Sequence, residues 1–293
     1  MTMLPSFQTA TPAMIVGHGV GDDPLPMELG EPFALLGGDR LGADGIPFLV
    51  MHEHQPDFLA WVRTRCAMML AAERPWFCGG TLILGGSNGA GRTHAARWLA
   101  RIGGMSHAVV NLTDPVIAAS IAASGEISEA LGASPVTIAM AAARCANPIV
   151  TVVGADRVGD DVLQGLAVMI DPERCRRWRE DRLGIDIDLG EVTWILQQDE
   201  YRTVPDWIAP DAIRIALGHP PAGIDHVLAL SICLEAMGDL GIDPAGGICS
   251  WQQIRDAFPR KHFRSARELY VDMVQALRGR QRAVPRPFDA LPF

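Results

Sequence analysis

Gly86, Ser87, Asn88, Gly89, Ala90, Gly91, Arg92 and Thr93 read GSNGAGRT, between a short apolar run (81–84) and a helical pattern that continues to about residue 100. The spacing is that of the phosphate-cradling turn G-x-x-x-x-G-K-[ST], with Arg92 where the lysine belongs. The order has a physical basis. Glycines let backbone N–H groups turn inward around phosphate oxygens. The helix that follows presents unpaired N–H groups and the positive end of its dipole. A basic side chain then reaches the outer phosphates, and a hydroxyl, here Thr93, holds magnesium. Arg92 keeps the charge but is a broad planar fork rather than a compact ammonium. No lysine lies nearby to replace it, because the chain has one lysine, Lys261. Two other readings compete. Gly85 to Gly89 (GGSNG) also spells G-x-S-x-G, the nucleophile elbow of a serine hydrolase, with Ser87 as nucleophile and Asp199 followed by His219 or His226 in triad order. The turn can also be a tight strand-to-helix connection with no ligand.

Other reactive residues carry weaker signals. Met51-His52-Glu53-His54 offers metal-ligand types, but in a glycine-rich segment they read as solvated loop. Cys175 beside Arg174, Arg176 and Arg177 has the surroundings of a low-pKa thiol, although a charged loop accounts for the same residues. The six cysteines include no CxxC pair, so neither a zinc ribbon nor a redox motif is expected. Net charge is -9, which argues against nonspecific binding to nucleic acid or anionic membrane. One basic stretch (251–286) runs against that average and reads as a solvated helix face or a site for an acidic partner. The N-terminus lacks a basic start followed by an apolar run, and no stretch is apolar enough to span a bilayer, so a cytoplasmic protein is expected.

The loop needs a strand before it and a helix after it, and the chain supplies several such units. Apolar spacing predicts a helix over 57–73, ended by Pro75. Strands are predicted at 81–84, 108–112, 148–153, 191–196 and 212–217. Helical patterns fall between them at 117–143, interrupted near Gly132 and Pro135, and at 161–170. Run 148–153 (PIVTVV) is continuous and β-branched, as a strand buried on both faces should be. Strands alternating with helices predict an α/β fold with a mainly parallel five-stranded sheet flanked by helices. After Pro220-Pro221 only helices are predicted, at 224–237, 251–258 and 265–278. The resulting division is a Gly/Pro-rich N-terminal extension (1–55), an α/β domain (56–217), a small helical domain (218–280) and a Pro/Arg-rich tail (281–293).

Downstream sequence resembles the AAA+ ATPase module of the Lon protease family over about residues 57–277. NPIVTVVGADRV (147–158) resembles the family's Walker B stretch, in which Asn-Pro and an apolar strand lead to Asp-Glu-Ile-Asp-Lys. Asp171-Pro172-Glu173 resembles its Leu-Asp-Pro-Glu, and 183–196 its β-hairpin and sensor-1 strand. Val204-Pro205 and 212–215 resemble the stretch through its arginine finger to the last core strand. HFRSAREL (262–269) resembles the sensor-2 helix, with Arg264 at the sensor arginine. Nothing resembles the family's N-terminal substrate domain or its protease domain.

The resemblance implies a P-loop NTPase, AAA+-like fold with a small C-terminal helical lid. It also implies losses. Val153 falls on the Walker B aspartate and Gly154 on the catalytic glutamate, and neither side chain can ligate magnesium or accept a proton. Asp156 and Arg157 follow them. The sensor-1 asparagine falls on Asp199 and the arginine finger on Asp211, both of the wrong charge to stabilise a γ-phosphate in flight. The pore-loop aromatic falls near Ala130. The expectation is a degenerate, non-hydrolysing module that acts by binding a protein partner. It would hold ATP or ADP weakly at residues 86–93 and Arg264, without a magnesium carboxylate, and its oligomeric state would not depend on ATP. A weak or atypical ATPase is the alternative, and a serine hydrolase a further one.

Overall fold

The computed structural model describes residues 11–19, 29–38, 41, 55–122, 133–180, 183–218, 226–242 and 266–283. Its centre is a five-stranded sheet, and every strand in it runs parallel. In chain order the sheet strands are β4 (Thr81–Gly85), β5 (His107–Asn111), β6 (Ile149–Val153), β9 (Thr193–Gln197) and β10 (Ile213–Ala216). Across the sheet they lie β10-β4-β9-β6-β5. The chain leaves β4 for the far edge at β5, returns through β6 and β9, and then passes over β4 to β10. The connections therefore diverge beside β4 and β9. In open parallel sheets such a switch point leaves a crevice at the carboxyl ends of the strands.

Alternation along each strand divides the core into two layers. Leu82, Leu84, Ile149 and Ile195 face α1 (Pro56–Ala71) and α2 (Arg92–Gly103), against Phe58, Trp61, Ala95 and Leu99. Ile83, Val150, Val152, Trp194 and Leu196 face the other layer. That layer holds α3 (Pro115–Ile121), α4 (Pro135–Ala143) and α5 (Asp160–Ile170), which contribute Ile121, Met140, Leu166 and Met169. Pro begins three of these helices, at the position where the missing N–H has no intrahelical partner to lose. The helical pattern over 117–143, expected to break near Gly132 and Pro135, is represented among the described residues by two short helices, α3 and α4, with Ser134 and Pro135 opening the second.

Residues up to 55, expected as an irregular or β-poor extension, supply three short strands among the described residues. β1 (Ala13–Ile15) pairs antiparallel with β3 (Pro32–Ala34). β2 (Gly17–Gly19) adds to the hairpin of β7 (Trp178–Glu180) and β8 (Ile185–Ile187). Val16 and Phe33 are fully buried in the main core. Composition averaged over a Gly/Pro-rich segment hides such isolated apolar anchors. Asn147, fully buried, ties this segment down. Its Oδ1 accepts from the Leu36 N–H at 2.9 Å, and its Nδ2 donates to the carbonyls of Leu36 and Phe77, both at 2.8 Å. Replacing Asn147 by Ala removes the partner of the Leu36 N–H and of the Phe77 carbonyl, while the Leu36 carbonyl keeps the Phe77 N–H at 2.9 Å. Urea denaturation of Asn147→Ala is expected to give a loss of about 2 kcal/mol; an unchanged midpoint would mean that the segment is held elsewhere.

Two further helices, α6 (His226–Asp239) and α7 (Ala266–Ala283), pack on each other through Ile232, Ala236, Leu269 and Met273. Among the described residues no helix is long and apolar enough to cross a membrane.

Candidate functional site

The glycine loop begins where β4 ends and hands over directly to α2. Gly86, Gly89 and Gly91 have φ of 128°, 89° and 89°, conformations that L side chains rarely adopt. At Gly86 a Cβ would also lie 2.4 Å from the Leu217 carbonyl oxygen, so the loop can pass the end of β10 only without a side chain. At Gly91 a Cβ would meet nothing within 4 Å, because the turn there faces open space. Gly91 is the N-cap of α2 and no side chain caps that end, so the first N–H groups of α2 are left to the cleft.

That cleft, of about 550 Å³, lies at the carboxyl ends of β4, β6 and β9 and continues to α6 and α7. Asn88, Gly89, Gly91, Arg92 and Thr93 form one wall. Ser87 is half-buried and Ala90 is buried beneath the loop, its N–H bonded to the Ser87 carbonyl at 3.2 Å. Arg92 donates to the carbonyl oxygen of Gln198 and, at 3.3 Å, to Asn88 Oδ1. Burial lowers its pKa from the ordinary arginine value, against the pull of Asp199 and Asp156. Thr93 Oγ1 accepts a hydrogen bond from Gln197 Nε2 at 2.9 Å.

The opposite wall is built by the ends of β6 and β9. Val153 and Gly154 line the cleft without an acid. Gly154 has φ of 86°, and a Cβ there would lie 2.7 Å from Thr113 Cγ2. Asp156 and Asp199 are brought together by Arg157. Its Nη2 donates to Asp199 Oδ2 at 2.9 Å, and its Nε lies 3.6 Å from Asp156 Oδ1. The Asp199 N–H donates to Asp156 Oδ2 at 3.2 Å, and the Glu200 N–H donates to Asp199 Oδ1 at 2.6 Å. Asp211 is exposed just before β10, and Arg264 lies outside the described residues, as do Ala130, His219 and the 51–54 segment.

Several cleft residues carry no sequence signal of their own. His94, directly after Thr93, is buried, and its ring nitrogens reach Glu235 and, at 2.9 Å, Ser231. Arg97 donates to Glu235 at 2.8 Å and to Asp239 at 3.0 Å, and Tyr270 donates to the same Asp239 at 2.6 Å. These contacts join α2 to α6 and α7. Burial pushes the Glu235 pKa up, but the hydrogen bond and charge of His94, with Arg97, outweigh it and hold the carboxyl below its ordinary range. Gln197 and Gln198 could have been noticed as the polar pair that ends an apolar strand.

The geometry bears on the minor readings as well. Asp199, the acid of the serine-nucleophile reading, is paired with Arg157, and the cleft histidine, His94, is bonded to Ser231 and Glu235. Cys175 is buried; burial, with Asp188 adding, pushes its pKa up to about 11, so it remains a thiol. Among the described residues no three His, Cys, Asp or Glu side chains are placed to share a metal ion. No protein-family model matches this chain, and a search of curated proteins likewise gives no match.

Proposed function

We propose that this chain is a degenerate AAA+-type P-loop module resembling that of Lon, which holds a nucleotide or similar anion weakly and acts by binding a partner rather than by turnover. One observation carries the reading: the same cleft has a glycine loop of the phosphate-cradling pattern on one wall and, on the other, only carboxylates that are already paired. The loop side offers left-handed glycines, the uncapped start of α2, Arg92 and Thr93. The facing side offers Val153 and Gly154, and the oxygens of Asp156 and Asp199 are bonded to other groups. Phosphoryl transfer needs a positioned water, a metal and charge neutralisation together. A loop that binds without a base or a metal ligand supports occupancy and not hydrolysis.

The alternative, an atypical ATPase, would draw its acid from Asp156. That carboxylate is 4% exposed and accepts from the Asp199 N–H, a poor position from which to activate water. The test is phosphate release from magnesium-ATP together with calorimetry of ADP and ATP, using Thr93→Ala as the control. Measurable nucleotide binding with release at background is expected. Release by the wild-type chain that Thr93→Ala abolishes would make it an ATPase. No binding heat at millimolar nucleotide would remove the nucleotide from the reading.

A further inference from the structure

Magnesium is the usual companion of a nucleotide at a glycine loop of this kind, and the residues present do not fit it. A magnesium site takes anionic oxygens and a hydroxyl in a near-octahedral set. Thr93 Oγ1, the hydroxyl in position, already accepts from Gln197. Each of the four oxygens of Asp156 and Asp199 also has a partner. Two face backbone N–H groups, those of Asp199 and Glu200, and two face the guanidinium of Arg157. A divalent cation between the two acids would have to share that space with the guanidinium, so a cation of the protein's own stands there.

Resting on the nucleotide reading above, we propose that Arg157 is the resident cation of this cleft, so that a diphosphate-bearing anion, a nucleoside diphosphate, binds without magnesium. Arg92 and Arg157 come from opposite walls, Arg92 from the first turn of α2 and Arg157 from the loop after β6. A guanidinium has five donors. Arg157 directs Nη2 at Asp199 and Nε at Asp156, and with 48% of its side chain exposed it keeps donors for a phosphate oxygen. Charge selects the length of the phosphate chain. Three arginines line the cleft, Arg92, Arg97 and Arg157, and three carboxylates oppose them, Asp156, Asp199 and Glu235, so these charges leave no net positive charge to hold a third phosphate. Asp199, just after β9, lines the same cleft, so each further phosphate adds repulsion there. A diphosphate, held by the loop amides and the two guanidinium faces, meets less of that repulsion.

The test is calorimetry of ADP into the full chain, once with EDTA and once with millimolar magnesium, repeated with Arg157→Gln. The wild-type affinity is expected to be the same in both buffers within about twofold. Arg157→Gln should bind ADP about tenfold more weakly in EDTA, through loss of a charge-assisted contact. It should recover part of that loss when magnesium enters the vacated space between the carboxylates. Electron paramagnetic resonance of manganese gives a reading that does not depend on the variant folding: adding the wild-type chain to manganese and ADP should give no protein-bound manganese beyond the manganese–ADP complex that forms in buffer alone. Tightening of wild-type ADP binding by about tenfold in magnesium, or a protein-bound manganese signal absent from manganese and ADP alone, overturns the proposal while leaving nucleotide binding intact. Unchanged ADP affinity in Arg157→Gln also overturns it. No ADP heat in either buffer removes the nucleotide reading itself, and this inference with it.

Discussion

Introducing together the three residues of the Lon-type pattern, as Arg92→Lys, Val153→Asp and Gly154→Glu, is expected to give no phosphate release and to lower stability by about 3 kcal/mol. The stability loss comes mainly from residue 154. Its φ of 86° costs a residue with a Cβ about 1–2 kcal/mol. The new Cβ would also sit 2.7 Å from Thr113 Cγ2, and Thr113 cannot easily give way because its hydroxyl is bonded to Asn111 Oδ1 at 2.8 Å. Overpacking of this kind costs about 1–3 kcal/mol. Activity fails for separate reasons. Arg92→Lys gives up the contacts of the guanidinium with Gln198 and Asn88. Val153→Asp adds a third carboxylate to a cleft wall where Arg157 already serves two. Groups that act as a unit do not recover singly, and here the unit cannot be reassembled on this backbone. Phosphate release and urea denaturation of the triple variant check both halves. Turnover that disappears when Thr93→Ala is added, or a midpoint equal to wild type, would show that the backbone at Gly154 tolerates a catalytic acid after all.

Glu235→Ala is expected to cost about 3–4 kcal/mol and to loosen α6 and α7 from the glycine-loop helix. The Glu235 side chain is 13% exposed and receives both His94 and Arg97. Without it Arg97 keeps only the partly exposed Asp239, and the buried ring of His94 keeps Ser231 on one nitrogen. Losing one partner of a buried pair is costly because the other is left desolvated. The pH dependence has a definite sign. The folded pKa of Glu235 lies below its unfolded value, so its contribution is present above the unfolded carboxylate pKa and is lost as pH falls through the folded one. Wild type should therefore lose stability on the acid side in a window that Glu235→Gln lacks. Hydrogen exchange provides the spatial check: α6 amides should exchange faster in Glu235→Ala while β6 and β9 keep their protection. Equal loss of protection across the sheet would assign Glu235 a global role rather than an inter-helix one.

The strands and their parallel arrangement were legible in the sequence because they are local and periodic. PIVTVV reads as a doubly buried strand, and β6 occupies Ile149–Val153. The glycine loop was legible too, since only glycine tolerates the φ values found at 86, 89 and 91. That 153 and 154 carry no acid was equally plain as residue types, but it took the backbone to show that Gly154 has no room for one. Burial of Val16 was not legible, because the register of the adjoining β2 on β8 is set by a partner about 170 residues away (Gly17↔Ile187), and that of Phe33 was not, because the core it enters is built by strands and helices far along the chain. The sequence also read Asp199 as a bare anion facing a γ-phosphate. Tertiary structure made it half of an ion pair, since β6 and β9 are adjacent in the sheet and their ends bring Arg157 to it. The same holds for His94 and Glu235, 141 residues apart. Residue types and local backbone demands belong to the sequence; which charges neutralise one another depends on strand order and helix packing, because electrostatic pairing falls off within a few ångströms and the chain alone does not say who is near.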